Sequence, residues 1–215
     1  MQFCRFCDKF GGKENIYQEI NHPERADTIL CRTKSFFVIP TLGQFVEGYL
    51  LIVPKEHFTC IGKIPRVNFL ELIRLIDEVR KILHNIYGSA ILMEHGPRTE
   101  YEKAGCCIDH AHLHVVPVGR DVDISGKILK HFVGRKIIEL SDLIEQIEKH
   151  GSYLFFEDTK KNKWVFDAQI VPKQYLRRLL AVELGISDKW DWRNYPGLEE
   201  IDRTIRKLSP FLKNI

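Results

Sequence analysis

Three histidines at alternate positions, His110, His112 and His114, carry the most concentrated chemistry in this chain. On an extended strand successive side chains point to opposite faces. The three imidazoles therefore share one face, and Ala111, Leu113 and Val115 share the other. The apolar set suits a core. The histidines then line a polar cleft, because each buried ring needs partners for two nitrogens. Two chemistries fit such a row. Three imidazoles could hold a catalytic zinc that keeps a water position open. Alternatively one ring could attack phosphorus, since imidazole is neutral near pH 7, attacks well and leaves readily. The preceding Lys103-Ala104-Gly105-Cys106-Cys107 places a glycine and small residues at the strand's start, where backbone N–H groups can approach phosphate oxygens. A second group stands near residue 1: Cys4 and Cys7 have the Cys-x-x-Cys spacing of half a tetrahedral metal site. No thioredoxin-like βαβ pattern surrounds the pair, which favours metal over redox work. Its remaining ligands must come from distant sequence.

The elements that position these groups read as strands around one long helix. Residues 36–40 and 49–54 are apolar runs bounded by proline and glycine, a strand, a long turn and a strand. Pro65 opens a helix to Tyr87, stopped by Gly88. Its buried stripe is Phe69, Leu72, Ile73, Ile76, Val79, Leu83 and Ile86, with Glu71, Arg74, Asp77, Glu78, Arg80 and Lys81 on the wet face. Residues 90–93 form a short buried strand leading into Glu94-His95-Gly96, and residues 110–117 form the histidine strand. The composition changes from Arg120. Ser141-Asp142 caps a short helix to Lys149, residues 153–157 and 164–167 make a hairpin, Pro172 starts a helix ending at Gly185, and a last helix covers residues 198–208 before Pro210. A boundary near residue 120 divides the chain into a first domain, 1–120, and a C-terminal extension, 121–215.

The chain has 215 residues, 44% hydrophobic and 28% charged, enough for a core without disulfide staples. A net charge of +3 gives no argument for duplex nucleic acid, although a phosphate pocket needs only a few local donors. No apolar run approaches the roughly 20 residues of a membrane span. The first residues lack the apolar core of a secretory signal, and six cysteines unevenly placed make no disulfide framework. The cytoplasm is the expected compartment.

Gly105-Cys-Cys-Ile-Asp-His-Ala-His-Leu-His-Val-Val-Pro117 resembles the motif of the histidine-triad superfamily, His-φ-His-φ-His-φ-φ. Upstream, Gly48-Tyr-Leu-Leu-Ile-Val-Pro-Lys-Glu-His57 resembles that family's glycine, apolar strand and Pro-Lys-x-His. The match covers roughly residues 1 to 118. The resemblance implies an α+β fold: an antiparallel sheet with a long helix packed on it, here with a smaller α/β C-terminal extension. It implies a homodimer acting on nucleotide conjugates. His112 takes the family's nucleophile position, attacking the α-phosphorus to give a nucleotidyl-histidine, and His114 the position that binds phosphate and orients the nucleophile. Gly105 and Cys107 fall where a backbone amide and a Ser or Thr hold phosphate, and Cys106 where a Gln helps handle the leaving group. Thiols are weak donors. Thr41 stands where many members grip the ribose with an acid, and His95-Gly96 where Asn-Gly is common, so base preference is not inherited. In the zinc-bearing branch, related to galactose-1-phosphate uridylyltransferases, Cys4 and Cys7 are joined by His57 and His110. Those four ligands fill a zinc tetrahedron, so the metal is structural and the open-zinc reading loses its first histidine. A non-catalytic module recognising nucleotides or RNA ends is the competing reading, favoured by Cys106 and Cys107. In the second half, Gln174-Tyr-Leu-Arg-Arg178 reads as a solvated helix face that could also reach phosphate, and Trp190-Asp-Trp-Arg193 as a packing cluster that could also stack on a base.

Overall fold

The computed structural model describes residues 4–12, 28–100, 102, 104–105, 108 and 110–215. Helix α1 (Arg5–Phe10) precedes strands β1 (Cys31–Arg32), β2 (Phe36–Pro40) and β3 (Leu50–Pro54). The long helix α2 (Phe69–Tyr87) leads to β4 (Ala90–Gly96) and β5 (Leu113–Pro117). Then come α3 (Ser125–Ile128), β6 (Gly134–Ile137), α4 (Asp142–Glu145), β7 (Tyr153–Glu157), β8 (Lys163–Asp167), α5 (Tyr175–Glu183) and α6 (Leu198–Leu212). The strands make one antiparallel sheet in the order β1-β2-β3-β5-β4-β7-β8-β6. The expected α+β fold, a sheet with a long helix packed on it, is what the chain adopts.

Both faces of this sheet are covered, which is why β2 and β3 read as unbroken apolar runs. Phe36, Val38, Leu50, Ile52, Leu113 and Val115 pack on one side with Leu72, Ile76, Val79 and Leu83 of α2. Phe37, Ile39, Leu51, Val53, Ile91 and Met93 pack on the other with Phe6 of α1 and Leu176 and Leu180 of α5. The triad histidines belong to this second side. Residues 121–215 therefore do two things: β7 extends the sheet by pairing residues 153–157 with 92–96 of β4, and α5 roofs the face that carries the histidines. The sheet continues across the boundary placed near residue 120.

Of the boundaries that differ from expectation, three have a clear physical cause. The regular histidine strand begins at Leu113 rather than His110, because its partner β3 ends at Pro54, which has no N–H to continue the ladder. The alternation nevertheless persists: Ala111 N–H donates to Phe58 O at 2.6 Å and Ala111 is in the first core. The segment after Pro65 is a 3-10 turn over Arg66–Asn68, and the α-helix starts at Phe69. Its buried stripe includes Leu75 and omits Ile73, which is 38% exposed. At about 100° per residue, Ile73 and Leu75 flank the line through Phe69, Leu72, Ile76, Val79 and Leu83 at about 80° on opposite sides, and the core lies on the Leu75 side. Finally, α6 runs past Pro210 to Leu212. A proline in a last turn removes one hydrogen bond, and the fully buried Leu212 holds that turn down.

Candidate active site

His110, His112 and His114 are buried, and each has one ring nitrogen fixed by a neighbour. His112 Nδ1 lies 2.7 Å from His110 O. A carbonyl only accepts, so Nδ1 carries the proton and Nε2 keeps the lone pair. Burial first of all holds this imidazole below its usual pKa of 6.5, with the Arg177 charge adding to the effect, so the ring is neutral near pH 7. His114 Nδ1 lies 2.8 Å from the Tyr49 hydroxyl. Burial pushes that phenol up to about 12, so it stays protonated. The guanidinium beside it can only donate, and the phenol proton therefore points to Nδ1, leaving Nε2–H of His114 as a donor. Burial, and then the His112 charge, keep His114 well below 6.5.

The first triad histidine faces another way. His110 Nδ1 is 3.4 Å from Cys4 Sγ and 3.6 Å from Cys7 Sγ, and His57 Nδ1 is 3.5 Å from Cys7 Sγ. All four donor atoms lie within 4.8 Å of one another. In a tetrahedron with Zn–S of about 2.3 Å and Zn–N of about 2.05 Å, the sulfur-to-nitrogen edge is about 3.6 Å. The residues fit the metal. His110 Nε2 is held by Pro54 O at 2.8 Å, and His57 Nε2 sits 3.6 Å from Glu100 Oε1, outer contacts that turn both Nδ1 lone pairs inward. Burial and the neighbouring Cys4 push the Cys7 thiol up to about 12. A dication is what would stabilise two thiolates here. Phe6 of α1 stands edge-on to both His110 and His112, its ring centre 5.7 Å from each, and so joins cluster and triad.

A cleft of ≈ 780 Å³, open mouth included, lies over His112 and His114. That is within the usual range for a small-molecule site. Ile39, Leu42, Ile108 and Trp192 give it apolar walls, and Arg5, Lys9 and Arg177 give it positive charge; no carboxylate lines it among the described residues. Thr41, His95 and Gly105 line it too. Gly105 has φ +75°, and a Cβ there would meet Pro172 O at 2.7 Å, so the backbone passes where a side chain cannot. Cys106 and Cys107 lie outside the described residues. His95 is buried with its pKa pushed down to about 3, by burial first and then by the charges of His112 and Arg177.

Among solved structures, the chain is similar to histidine-triad proteins. A hypothetical histidine triad nucleotide-binding protein from Sulfolobus tokodaii is 21% identical, over 68% of this chain and 95% of its own, with a TM-score of 0.43. A zinc-bound histidine triad family protein from Mycobacterium smegmatis is 19% identical, over 66% and 88%, with a TM-score of 0.41. Yeast Ap4A phosphorylase in complex with AMP is 14% identical, over 65% and 58%, with a TM-score of 0.40. No protein-family model matches the chain, and no curated protein matches it by sequence.

Gln174, Arg177 and Trp192 enter the cleft from the C-terminal half. The expected solvated helix face at Gln174–Arg178 is wrong at Gln174 and Arg177, which are both buried, while the alternative contacts named for this segment and for Trp190–Arg193 are the ones their position in the cleft allows. Leu176 and Leu180 of α5 recur at helical spacing and are buried against the sheet, but periodicity says nothing of what the polar residues between them meet. Arg177, on the same helix, meets Gly43 O at 2.5 Å across 134 residues of sequence, a contact that no local pattern encodes.

Proposed function

We propose that the chain is a nucleotide hydrolase or nucleotidyltransferase in which His112 Nε2 attacks the α-phosphorus of a nucleotide conjugate. A nitrogen–phosphorus bond forms and the bond from phosphorus to the leaving group breaks, with the leaving group taking up a proton. Water or another acceptor then displaces His112 from the nucleotidyl-histidine and restores the free ring. The observation that supports this most is the Nδ1–H contact to His110 O, which leaves a neutral imidazole with its lone pair on the other nitrogen, in a cleft lined by cations. His114 Nε2–H and the Gly105 backbone would hold non-bridging oxygens, and the family resemblance assigns Cys106 and Cys107 to leaving-group and phosphate contacts. The apolar walls suit a base.

Zinc, held by Cys4, Cys7, His57 and His110, would fill its coordination with protein ligands and supply structure rather than reactivity. Its effect on the reaction is positional. His110 O orients His112, so locking His110 locks the nucleophile's ring.

The test is turnover. Wild type and His112→Ala are incubated with dinucleoside polyphosphates, nucleotidyl phosphoramidates and nucleotide sugars. Hydrolysis or transfer by the wild type, reduced in the variant by at least the roughly 10²–10⁴-fold that a positioned catalytic group supplies, is the expected result. Equal binding by both proteins, with no turnover by either, would make the chain a nucleotide-binding module, the reading that the weak donors Cys106 and Cys107 favour.

A further inference from the structure

Among the described residues Arg177 is a buried cation with no carboxylate in an ion pair with it. It is 4% exposed, and its hydrogen bonds go to uncharged backbone carbonyls: Nε to Trp190 O at 3.2 Å and Nη2 to Gly43 O at 2.5 Å. Its ring neighbours are Phe45 and Tyr49, with Cζ 4.9 and 5.4 Å from their centres. The guanidinium acts on the Tyr49 phenol both through its charge and as a neighbouring donor, yet Nη1 itself meets no acceptor in hydrogen-bond geometry among the described residues. A guanidinium does not lose its proton, so the charge cannot be avoided by titration. Burying it uncompensated is unfavourable, and such groups occur where a ligand supplies the opposite charge.

Two further observations show where that ligand would sit. Arg177 lines the same cleft as His112 and His114, and its charge is felt at His95, His112 and His114 alike. Gln174, one turn earlier, is also buried and has φ +58°, a left-handed backbone that a residue with a side chain seldom adopts. Its Nε2 donates to Asp191 Oδ1 at 3.1 Å, which leaves Oε1 as an unpartnered acceptor in the cleft wall. Among the described residues the segment thus presents one unused donor and one unused acceptor. A purely structural clamp between the turn at Gly43 and the C-terminal half would need Nε and Nη2 only.

We propose that Arg177 is a substrate-binding residue, its free Nη1 donating to a non-bridging oxygen of the phosphate held at His112. The C-terminal half thereby becomes part of the active site. This rests on the phosphate-transfer reading of the cleft, but it is testable without turnover.

The experiment measures the rise in melting temperature caused by inorganic phosphate, against chloride at matched ionic strength, for wild type, Arg177→Gln and Arg177→Lys. Phosphate should stabilise the wild type, since a ligand that binds only the native state raises its stability. In Arg177→Gln the increment should shrink to that of an affinity roughly tenfold to hundredfold weaker, as loss of a charge-assisted hydrogen bond implies. A structural role would lower the melting temperature in chloride and leave the phosphate increment intact. Should the Gln variant not fold, Arg177→Lys decides: it keeps the charge but not the planar fork, so weaker phosphate binding supports the assignment and unchanged binding overturns it. An equal increment in wild type and Arg177→Gln, or none in the wild type, also overturns it. Arg177-dependent phosphate binding in a protein that turns nothing over would instead sink only the catalytic reading of His112.

Discussion

Two adjacent buried side chains of β4, Glu94 and His95, titrate in opposite senses and together shape the pH range of the fold. Glu94 accepts from Ile61 N–H at 2.7 Å and from the Tyr153 hydroxyl at 2.6 Å, yet burial outweighs both bonds and raises its pKa from 4.5 to about 7. The native state keeps this proton up to about pH 7, whereas the unfolded chain releases it near 4.5. Stability is therefore lost as the pH rises across that window, by about 3 kcal/mol in all. His95 behaves conversely. Its unfolded ring takes a proton near 6.5 and its folded ring only near 3, so stability is lost as the pH falls through that interval, by at most about 5 kcal/mol. Urea unfolding from pH 4 to 8 should show Glu94→Gln flattening the alkaline side of the stability curve and His95→Gln flattening the acid side. Variants that leave the curve unchanged would show that neither group is buried as described. Neither effect was visible in the sequence. His95 was noted only as a departure from Asn-Gly, and its burial depends on α5, whose Leu176 N–H donates to its Nε2 at 3.3 Å across 81 residues.

At the scale of elements, a metal held by Cys4, Cys7, His57 and His110 would add a tie between α1 and the sheet to the packing of Phe6 and Phe10. Cys4 and Cys7 come from that helix, His57 follows β3 and His110 precedes β5. Purified protein should contain about one zinc per chain by elemental analysis. Cys4→Ala should reduce this content and lower the melting temperature, as should exhaustive chelation of the wild type. Metal-free protein from a careful preparation, melting at the same temperature with and without added zinc, would remove the site. Both halves of this cluster were legible because each lies within a short motif, and the family resemblance joined them. The starts of the histidine strand and the long helix were less so. Proline at the end of β3 decides where pairing stops, and that information sits on the partner strand.

The whole molecule is organised by one sheet with two covered faces. Its first five positions, β1 through β4, come from residues 31–117, and the remaining three from residues 134–167. Expression of residues 1–120 alone should therefore give an insoluble or non-cooperative chain, because the edge of β4 and the apolar face beneath α5 would both be exposed. Cooperative melting of that fragment would show that the second half is an independent addition. The composition change near Arg120 suggested such an addition. It marks a return of the chain from one set of strands to another, and local composition does not reveal that β7 pairs with β4. Among the described residues no helix is long and apolar enough to cross a membrane, in line with the absence of any such run in the sequence. The positive cleft arises in the same way: Arg5 and Lys9 come from α1 and Arg177 from α5. Only the sheet between them makes one site of these distant cations.

The central claim concerns one nitrogen, and intact-mass analysis of rapidly quenched protein tests it most directly. After mixing with a nucleotide conjugate that the wild type turns over, a nucleoside monophosphate should be found attached to the peptide that contains His112. The bond should be labile to acid and stable to base, as a phosphorus–nitrogen bond is, and it should be absent from His112→Ala. An adduct on another residue, or full turnover by His112→Ala, would contradict the account.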